Sequence, residues 1–454
     1  MTMIFGVNVW VQIDLMLYDP KGSSSGSTVS CDQPFCAATY GGKLPGCTAS
    51  LPCEYSVMYG DGSTTTGYFV SDSLQYNQVS GDGQTRYGNG SVTFGKYIEL
   101  KNLMWINGSS VLCRCGAQQG GDLGNTNQAL DGIIGFGQSN TSMLSQLAAA
   151  GKVKKIFSHC LDTITGGGIF AIGEVVQPKM KSTPLIPNMK AFCNFAFLKV
   201  HILISKKAQN FLKFGRCQYF QPHYNVKLKS IDVGGTALQL PSHIFETGEK
   251  KGTIIDSGTT LTYLPELVYK EVMAKIFAKH QDMTFRSIQD FLCFQYHESV
   301  DDGFPKIIFH FENDLGLNVY PHDYFFQNGD NLYCVGFQNG GLQSKDGKDM
   351  VLLGDLVLSN KVVVYDLENQ VVGWADYNCS SSMKVKDDKT GAAYTVDAHN
   401  ISSGCRRQWQ KFLVLLVTMT NGSALLIVET FRMEEANSAM RISVVRRRPQ
   451  RQPS

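Results

Sequence analysis

The sequence predicts an all-β fold organised as two related halves, and three observations carry that expectation. Short β-branched and aromatic runs, each bounded by Gly, Asp, Asn or Ser, recur along the chain with few helical patterns between them. Two such runs flank Gly60-Asp61-Gly62, and Asp-Gly between apolar runs is among the strongest hairpin signals. An apolar-apolar-Gly element also occurs twice, as Ile133-Ile134-Gly135 and as Leu352-Leu353-Gly354, a weak internal echo of a duplicated unit.

Composition narrows the class. A length of 454 residues allows two or three domains, each with a full core. An apolar fraction of 43%, with 45 Gly and 11% aromatics, argues against disorder. The net charge of +2 gives a nucleic-acid partner no electrostatic support. The 13 Cys include close pairs (Cys31/Cys36, Cys47/Cys53, Cys113/Cys115) and point to an oxidising compartment. None of these pairs is C-x-x-C and the nine His do not cluster near them, so zinc is disfavoured. N-x-S/T sequons at Asn89, Asn107, Asn140, Asn378, Asn400 and Asn421 agree with secretion. The first ten residues lack a positive n-region and a small-residue cleavage site, so the start reads as truncated or replaced.

Gly252-Thr-Ile-Ile-Asp256-Ser257-Gly258-Thr259-Thr260 delivers one aspartate from an apolar run onto a tight polar turn. Gly258 supplies backbone shape there, and the hydroxyls of Ser257 and Thr259 orient the carboxylate. A turn-capping aspartate is the plainer alternative for Asp256, and a simple cross-strand aromatic is the plainer one for Tyr59. The Asp-Ser-Gly turn occurs once. Counting back from Gly135 by the spacing between Asp256 and Gly354 leads to the start of the chain. Asp14 stands there, but Leu15-Met16 follows it and the turn chemistry is missing, so Asp14 reads as a solvated or strand-end aspartate.

Lys96–Arg114 and Lys190–Gln221 read as insertions, because the flanks of each rejoin into plausible strands. The expected organisation is a first lobe over 1–189 with the hairpin, an insertion or interlobe segment over 190–221, a second lobe over 222–385, and a tail over 386–454. Within the tail, Phe412–Thr418 is too short an apolar run to span a membrane, and the arginine-rich end reads as solvated.

Tyr59-Gly-Asp-Gly-Ser, Asp131-Gly-Ile-Ile-Gly-Phe-Gly, Ile255-Asp256-Ser257-Gly258-Thr259, Leu353-Gly354-Asp355 and the closing Val-Gly-Trp374 occur in this order over about Leu17–Asn400. Together they resemble the plant-type, cysteine-rich (nucellin- and nepenthesin-like) branch of the pepsin-like aspartic proteases. The resemblance implies a bilobal all-β fold, here with an incomplete N-terminal lobe, and a long cleft between the lobes. It implies that Asp256 is the second-lobe catalytic carboxylate, that Tyr59, Gly60 and Asp61 form a flap over bound peptide, and that Gly258 and Thr259 contact substrate. Cys293 and Cys334 are implied to be the second-lobe disulfide.

The family's reaction uses two aspartates sharing one proton, one polarising a water and the other hydrogen-bonding the scissile carbonyl. Such chemistry asks for no metal or cofactor, and none is expected. The partner implied is a polypeptide substrate, met by a monomer that is secreted, extracellular or membrane-associated. With Asp256 alone the division of roles is lost, so impaired catalysis is expected. A non-catalytic peptide- or enzyme-binding protein on the same fold is the alternative. A homodimer pairing two copies of Asp256 would leave the first-lobe elements without a catalytic partner.

Overall fold

The computed structural model describes residues 2–4, 23–58, 64–79, 85–96, 118–120, 133–162, 168–187, 223–247, 251–288, 290–340, 349–386 and 391–398, and four strands between 417 and 445. Strands dominate and helices are few and short, as the sequence implies. The expected hairpin is present: Glu54–Met58 pairs antiparallel with Thr64–Val79, closing at Met58 opposite Thr64. Its tip, with Tyr59, Gly60 and Asp61, lies outside the described residues, as do Asp14 and Asp131.

The long strand Thr64–Val79 organises the first-half sheet. Lys96 faces Tyr68 and Gln118 faces Thr66, so the chain on either side of 97–117 meets nearly adjacent positions of one strand. The helix Pro34–Tyr40 is stapled beside it by Cys31–Cys47 and Cys36–Cys53, around a small core that includes Val29. These bridges connect neighbouring close pairs crosswise.

In the second half, Lys251–Ile255 lies between Tyr224–Val226, which is antiparallel to it, and Asp349–Leu353, which is parallel. The helix Glu266–Ile276 buries Val268, Val272 and Ile276, a four-residue spacing that puts them on one face. Cys293 pairs directly opposite Cys334 across two strands, and the two form the disulfide that the resemblance implies.

A five-stranded antiparallel sheet joins the halves. Its order is Lys181–Pro184, Val371–Asp376, Lys361–Asp366, Ile156–Leu161, Gly168–Ile172, so two second-half strands lie between first-half strands on either side. The Cys160–Cys379 disulfide closes it across a sequence separation of 219 residues. Met383–Lys386 and Ala393–Val396 form a further hairpin against Glu174–Gln177. Runs of four residues, partly charged, are too short for their alternation to register in the sequence. Among the described residues no helix is long and apolar enough to cross a membrane.

One charged contact sits inside this frame. Lys361, at 1% exposure, donates to Asp323 Oδ2 and to Ser359 O, each at 3.1 Å. Burial pushes the Asp323 carboxyl up, and the Lys361 charge pulls it back. Removing one member leaves the other charge buried with only weaker company, His322 Nε2 at 3.5 Å from Asp323 and Asp376 Oδ1 at 4.0 Å from Lys361, which costs about 3 kcal/mol. Asp323→Asn and Lys361→Met are each expected to destabilise the fold by that order in denaturant unfolding. The double replacement by apolar residues is expected to recover most of the loss.

Candidate active site

Asp256 is placed by the strand that precedes it. Ile254 and Ile255 are buried, and Asp256 N–H donates to Leu353 O at 3.0 Å, extending the parallel pairing by one step. The chain then turns sharply, with Thr259 N–H donating to Asp256 O at 3.1 Å. Each carboxylate oxygen receives a donor from the same turn: Gly258 N–H reaches Oδ1 and Thr259 Oγ1 reaches Oδ2, both at 3.0 Å. Asp256, Gly258 and Thr259 thus come together as the sequence implies, whereas the Ser257 hydroxyl, expected to help orient the carboxylate, is buried and makes no hydrogen bond among the described residues. The carboxylate is half-buried, with its plane fixed by two donors on one side.

The apolar-apolar-Gly element holds this turn from behind. Asp355 N–H donates to Thr259 O at 2.6 Å, Leu356 N–H to Thr260 O at 3.1 Å, and Gly354 N–H to Thr262 Oγ1 at 3.3 Å. Gly354 itself lies against the turn's backbone: a Cβ there would stand 2.1 Å from Leu261 O and 2.5 Å from Thr259 O. Asp355 is half-buried as a residue, but its Oδ1 is buried and has no hydrogen-bond partner among the described residues. Burial pushes its carboxyl up to about 7.

The first half meets this site through its own echo element. Ile133–Gly135 pairs antiparallel with Thr2–Ile4. A Cβ on Gly135 would meet nothing within 4 Å, so among the described residues no turn packs on it as one packs on Gly354. The residues just beyond reach across to the second half: Tyr224 Oη donates to Phe136 O at 2.6 Å, and Gln138 Nε2 donates to His223 O at 2.9 Å. Since Tyr224 pairs with Ile255, His223 stands beside Asp256. Burial lowers the His223 pKa, and the Asp256 charge opposes that shift.

Sequence reasoning missed the supporting residues. Asp355 sits inside a motif that was read for its glycine. His223 stands in Pro222-His-Tyr-Asn-Val, where nothing in the local pattern marks it.

Gly354→Ala is expected to displace the turn, because the colliding atoms are backbone and have no rotamer to escape into. A loss of about 3 kcal/mol or more in unfolding free energy should result, within the upper range for single substitutions. Gly135→Ala, whose Cβ would meet nothing within 4 Å among the described residues, is the matched control and should cost under about 1 kcal/mol.

Comparison with known proteins agrees with this architecture. Residues 6–174 match the family described as xylanase inhibitor N-terminal, and residues 223–376 the one described as xylanase inhibitor C-terminal. The chain is 45% identical over 407 residues to Aspartic proteinase 36 of Arabidopsis thaliana, covering 90% of this chain and 73% of that protein. It is 27% identical over 372 residues to aspartic proteinase nepenthesin-1 of Nepenthes gracilis, covering 81% and 69%. Among solved structures, conglutin gamma from lupine seeds superposes with a TM-score of 0.53 at 20% identity, covering 83% of this chain and 87% of that one. Basic 7S globulin from soybean gives 0.51 at 18%, covering 82% and 87%. Both show the fold alone. With matched regions spanning most of both halves and an aspartic proteinase relative at this identity, the chain belongs to the plant branch of the pepsin-like aspartic protease family.

Proposed function

We propose that Asp256 is one of the two carboxylates of an aspartic endopeptidase centre, acting on polypeptides in acid. The observation that supports this best is the double donation to its oxygens from Gly258 and Thr259, which prepares the carboxylate to hold and orient a water. In that reading the water attacks the scissile carbonyl without a covalent intermediate. A second, protonated carboxyl donates to the carbonyl oxygen, and a flap carrying Tyr59, Gly60 and Asp61 excludes solvent.

This chain carries the Asp-Ser-Gly turn once. Proton transfer by a positioned partner contributes about 10²–10⁴-fold, and a single carboxylate forgoes that share. Its own activity is therefore weak, and polypeptide binding in the cleft outlasts it. The single Asp-Ser-Gly turn leaves room for a second reading on the same fold, a peptide-binding protein without hydrolysis. Secretion through an oxidising compartment accords with both, since the described cysteines form four disulfides.

Cleavage of an unfolded protein by the purified chain, from pH 3 to 7 and beside Asp256→Asn, separates the readings. Slow cleavage with an acid optimum, abolished in the variant, is expected. Cleavage that survives Asp256→Asn would sink the assignment of Asp256. Peptide binding without cleavage, unchanged in the variant, would establish the second reading instead.

Asp355 adds a pH dependence of its own. Its carboxyl holds its proton to about 7 when folded and to 3.8 when not. Unfolding therefore releases a proton between those values, and the contribution of Asp355 to stability falls as pH rises through that window. Below it, both states are protonated and the contribution is constant. The full difference is on the order of 4 kcal/mol. Asp355→Asn lacks this term, so the stability difference between variant and parent, followed by thermal melting from pH 4 to 7, should shift steadily in the variant's favour.

A further inference from the structure

The Cys160–Cys379 bridge shares its second cysteine with a glycosylation triplet. Asn378-Cys379-Ser380 is one of the six N-x-S/T sequons, and its middle residue is the bridge cysteine itself. Such a triplet acts as an acceptor on the surface of a secreted protein, and it needs the hydroxyl at its third position. The structure meets the surface condition. Asn378 and Ser380 are exposed, while Cys160 and Cys379 are both fully buried. The Asn378 carboxamide oxygen accepts from Ser380 N–H at 3.0 Å, and its nitrogen, which would carry a sugar, makes no hydrogen bond among the described residues.

The folded chain nonetheless closes this triplet to a transferring enzyme. Besides the Ser380 bond, Ser381 N–H donates to Asn378 O at 2.9 Å, so the segment is wound into a tight turn. The Ser380 hydroxyl is already engaged with Asp162 Oδ2, from the first half. On the preceding side Tyr377 N–H donates to Asn360 O at 2.9 Å. Between these contacts Cys379 is tied to Cys160. A transferase must grip the triplet as an open segment with a free hydroxyl. Drawing it out would break these hydrogen bonds and pull the bridge cysteine from its buried site. The acceptor is therefore usable only before the bridge closes.

We propose that Asn378 is an N-glycan acceptor whose loading competes with closure of the Cys160–Cys379 bridge. In the transfer, Asn378 Nδ2 attacks the anomeric carbon of an oligosaccharide linked to a lipid pyrophosphate. The new C–N bond replaces the C–O bond to the pyrophosphate, which leaves with the bonding pair, and Nδ2 gives up one proton. Closing the bridge is a separate two-electron oxidation, its electrons and protons passing to a disulfide of the folding compartment by thiol–disulfide exchange. The two events overlap in time. Cys379 follows Cys160 by 219 residues, so the first cysteine is already waiting when the second arrives. Disulfide formation takes seconds to hours, and the chain emerges at about 5–20 residues per second. Neither event wins outright, and occupancy at Asn378 is partial. Once a sugar is in place the bridge still closes, because the exposed Nδ2 carries it while Oδ1 keeps its bond to Ser380. The proposal is independent of the reading of Asp256 and rests on passage through an oxidising secretory compartment.

The test is site-resolved occupancy in the full chain, expressed behind a secretion leader in eukaryotic cells. Sugars are removed from retained and secreted chain together by an amidase in heavy-oxygen water, which turns each formerly glycosylated Asn into labelled Asp. Partial occupancy at Asn378 is expected in the parent. In Cys160→Ser, where this bridge cannot form, it should rise about twofold, as when a competitor that captures roughly half the chains is removed. Exposed Asn140, whose triplet holds no cysteine, is the internal reference and should not change. Cys36→Ser opens a different bridge and controls for slower folding in general, so it should leave Asn378 as in the parent. Full occupancy at Asn378 in the parent, or equal occupancy in parent and Cys160→Ser, overturns the proposal. A rise in Cys36→Ser that matches the one in Cys160→Ser does the same. Sugar at other sequons but none at Asn378 overturns it alone, and sugar at none overturns it together with the secretory reading.

Discussion

The close approach of Gly354 to the Asp256 turn is the constraint on which the site depends. Two segments distant in sequence meet there backbone to backbone, with no side chain between them. The parallel pairing of Lys251–Ile255 with Asp349–Leu353 brings them together, and the hydrogen bonds from residues 354–356 lock the turn in place. Parallel neighbours require a long crossover connection, and here nearly a hundred residues of the second half separate the strand before Asp256 from its partner. The carboxylate geometry is accordingly a property of the whole lobe.

The joining sheet extends this dependence to the first half. Strands Ile156–Leu161 and Lys361–Asp366 form its middle, and their buried faces meet in the cluster of Phe157, Tyr224 and Tyr365. Tyr224 belongs to the strand beside the one that ends at Asp256 and donates to Phe136 O, next to the first-half echo element. Aromatic packing and a buried hydrogen bond thus tie both halves to the same turn.

The fold class and the Asp256 turn were legible because their signals are local. Alternation, an Asp-Gly hairpin and a Ser-Gly-Thr turn each need fewer than a dozen residues to declare themselves. The Cys293–Cys334 bridge was implied by resemblance and stands between directly opposed residues. The Cys160–Cys379 bridge was not anticipated, because it joins strands that become neighbours only once the shared sheet forms. His159 and Tyr365, buried on neighbouring strands of that sheet with Nε2 and Oη 3.4 Å apart, were invisible for the same reason. Each sits in an unremarkable β-branched run, and only a register between strands more than two hundred residues apart makes them a pair. What sequence pattern supplies is the face a residue occupies; what it lacks is the partner across the sheet.

Burial of these unmarked groups also governs the pH range in which the frame holds. Asp355 resists ionisation up to about 7, and His159 resists protonation down to about 3. Taken alone, Asp355 weakens the fold as pH rises from 3.8 to about 7, whereas His159 weakens it as pH falls from 6.5 to about 3. In the overlap the unfolded chain has a charged aspartate and a charged histidine where the native state has neither. Unfolding there moves one proton off Asp355 and one onto His159, with no net uptake from these two groups. Their slopes cancel, and this pair leaves stability nearly flat between about pH 4 and 6.5. Outside that interval one term acts without the other: His159 below it, Asp355 above it. Two buried groups of opposite type, neither touching substrate, therefore favour a frame that holds in mild acid, where a carboxylate-based hydrolysis would run.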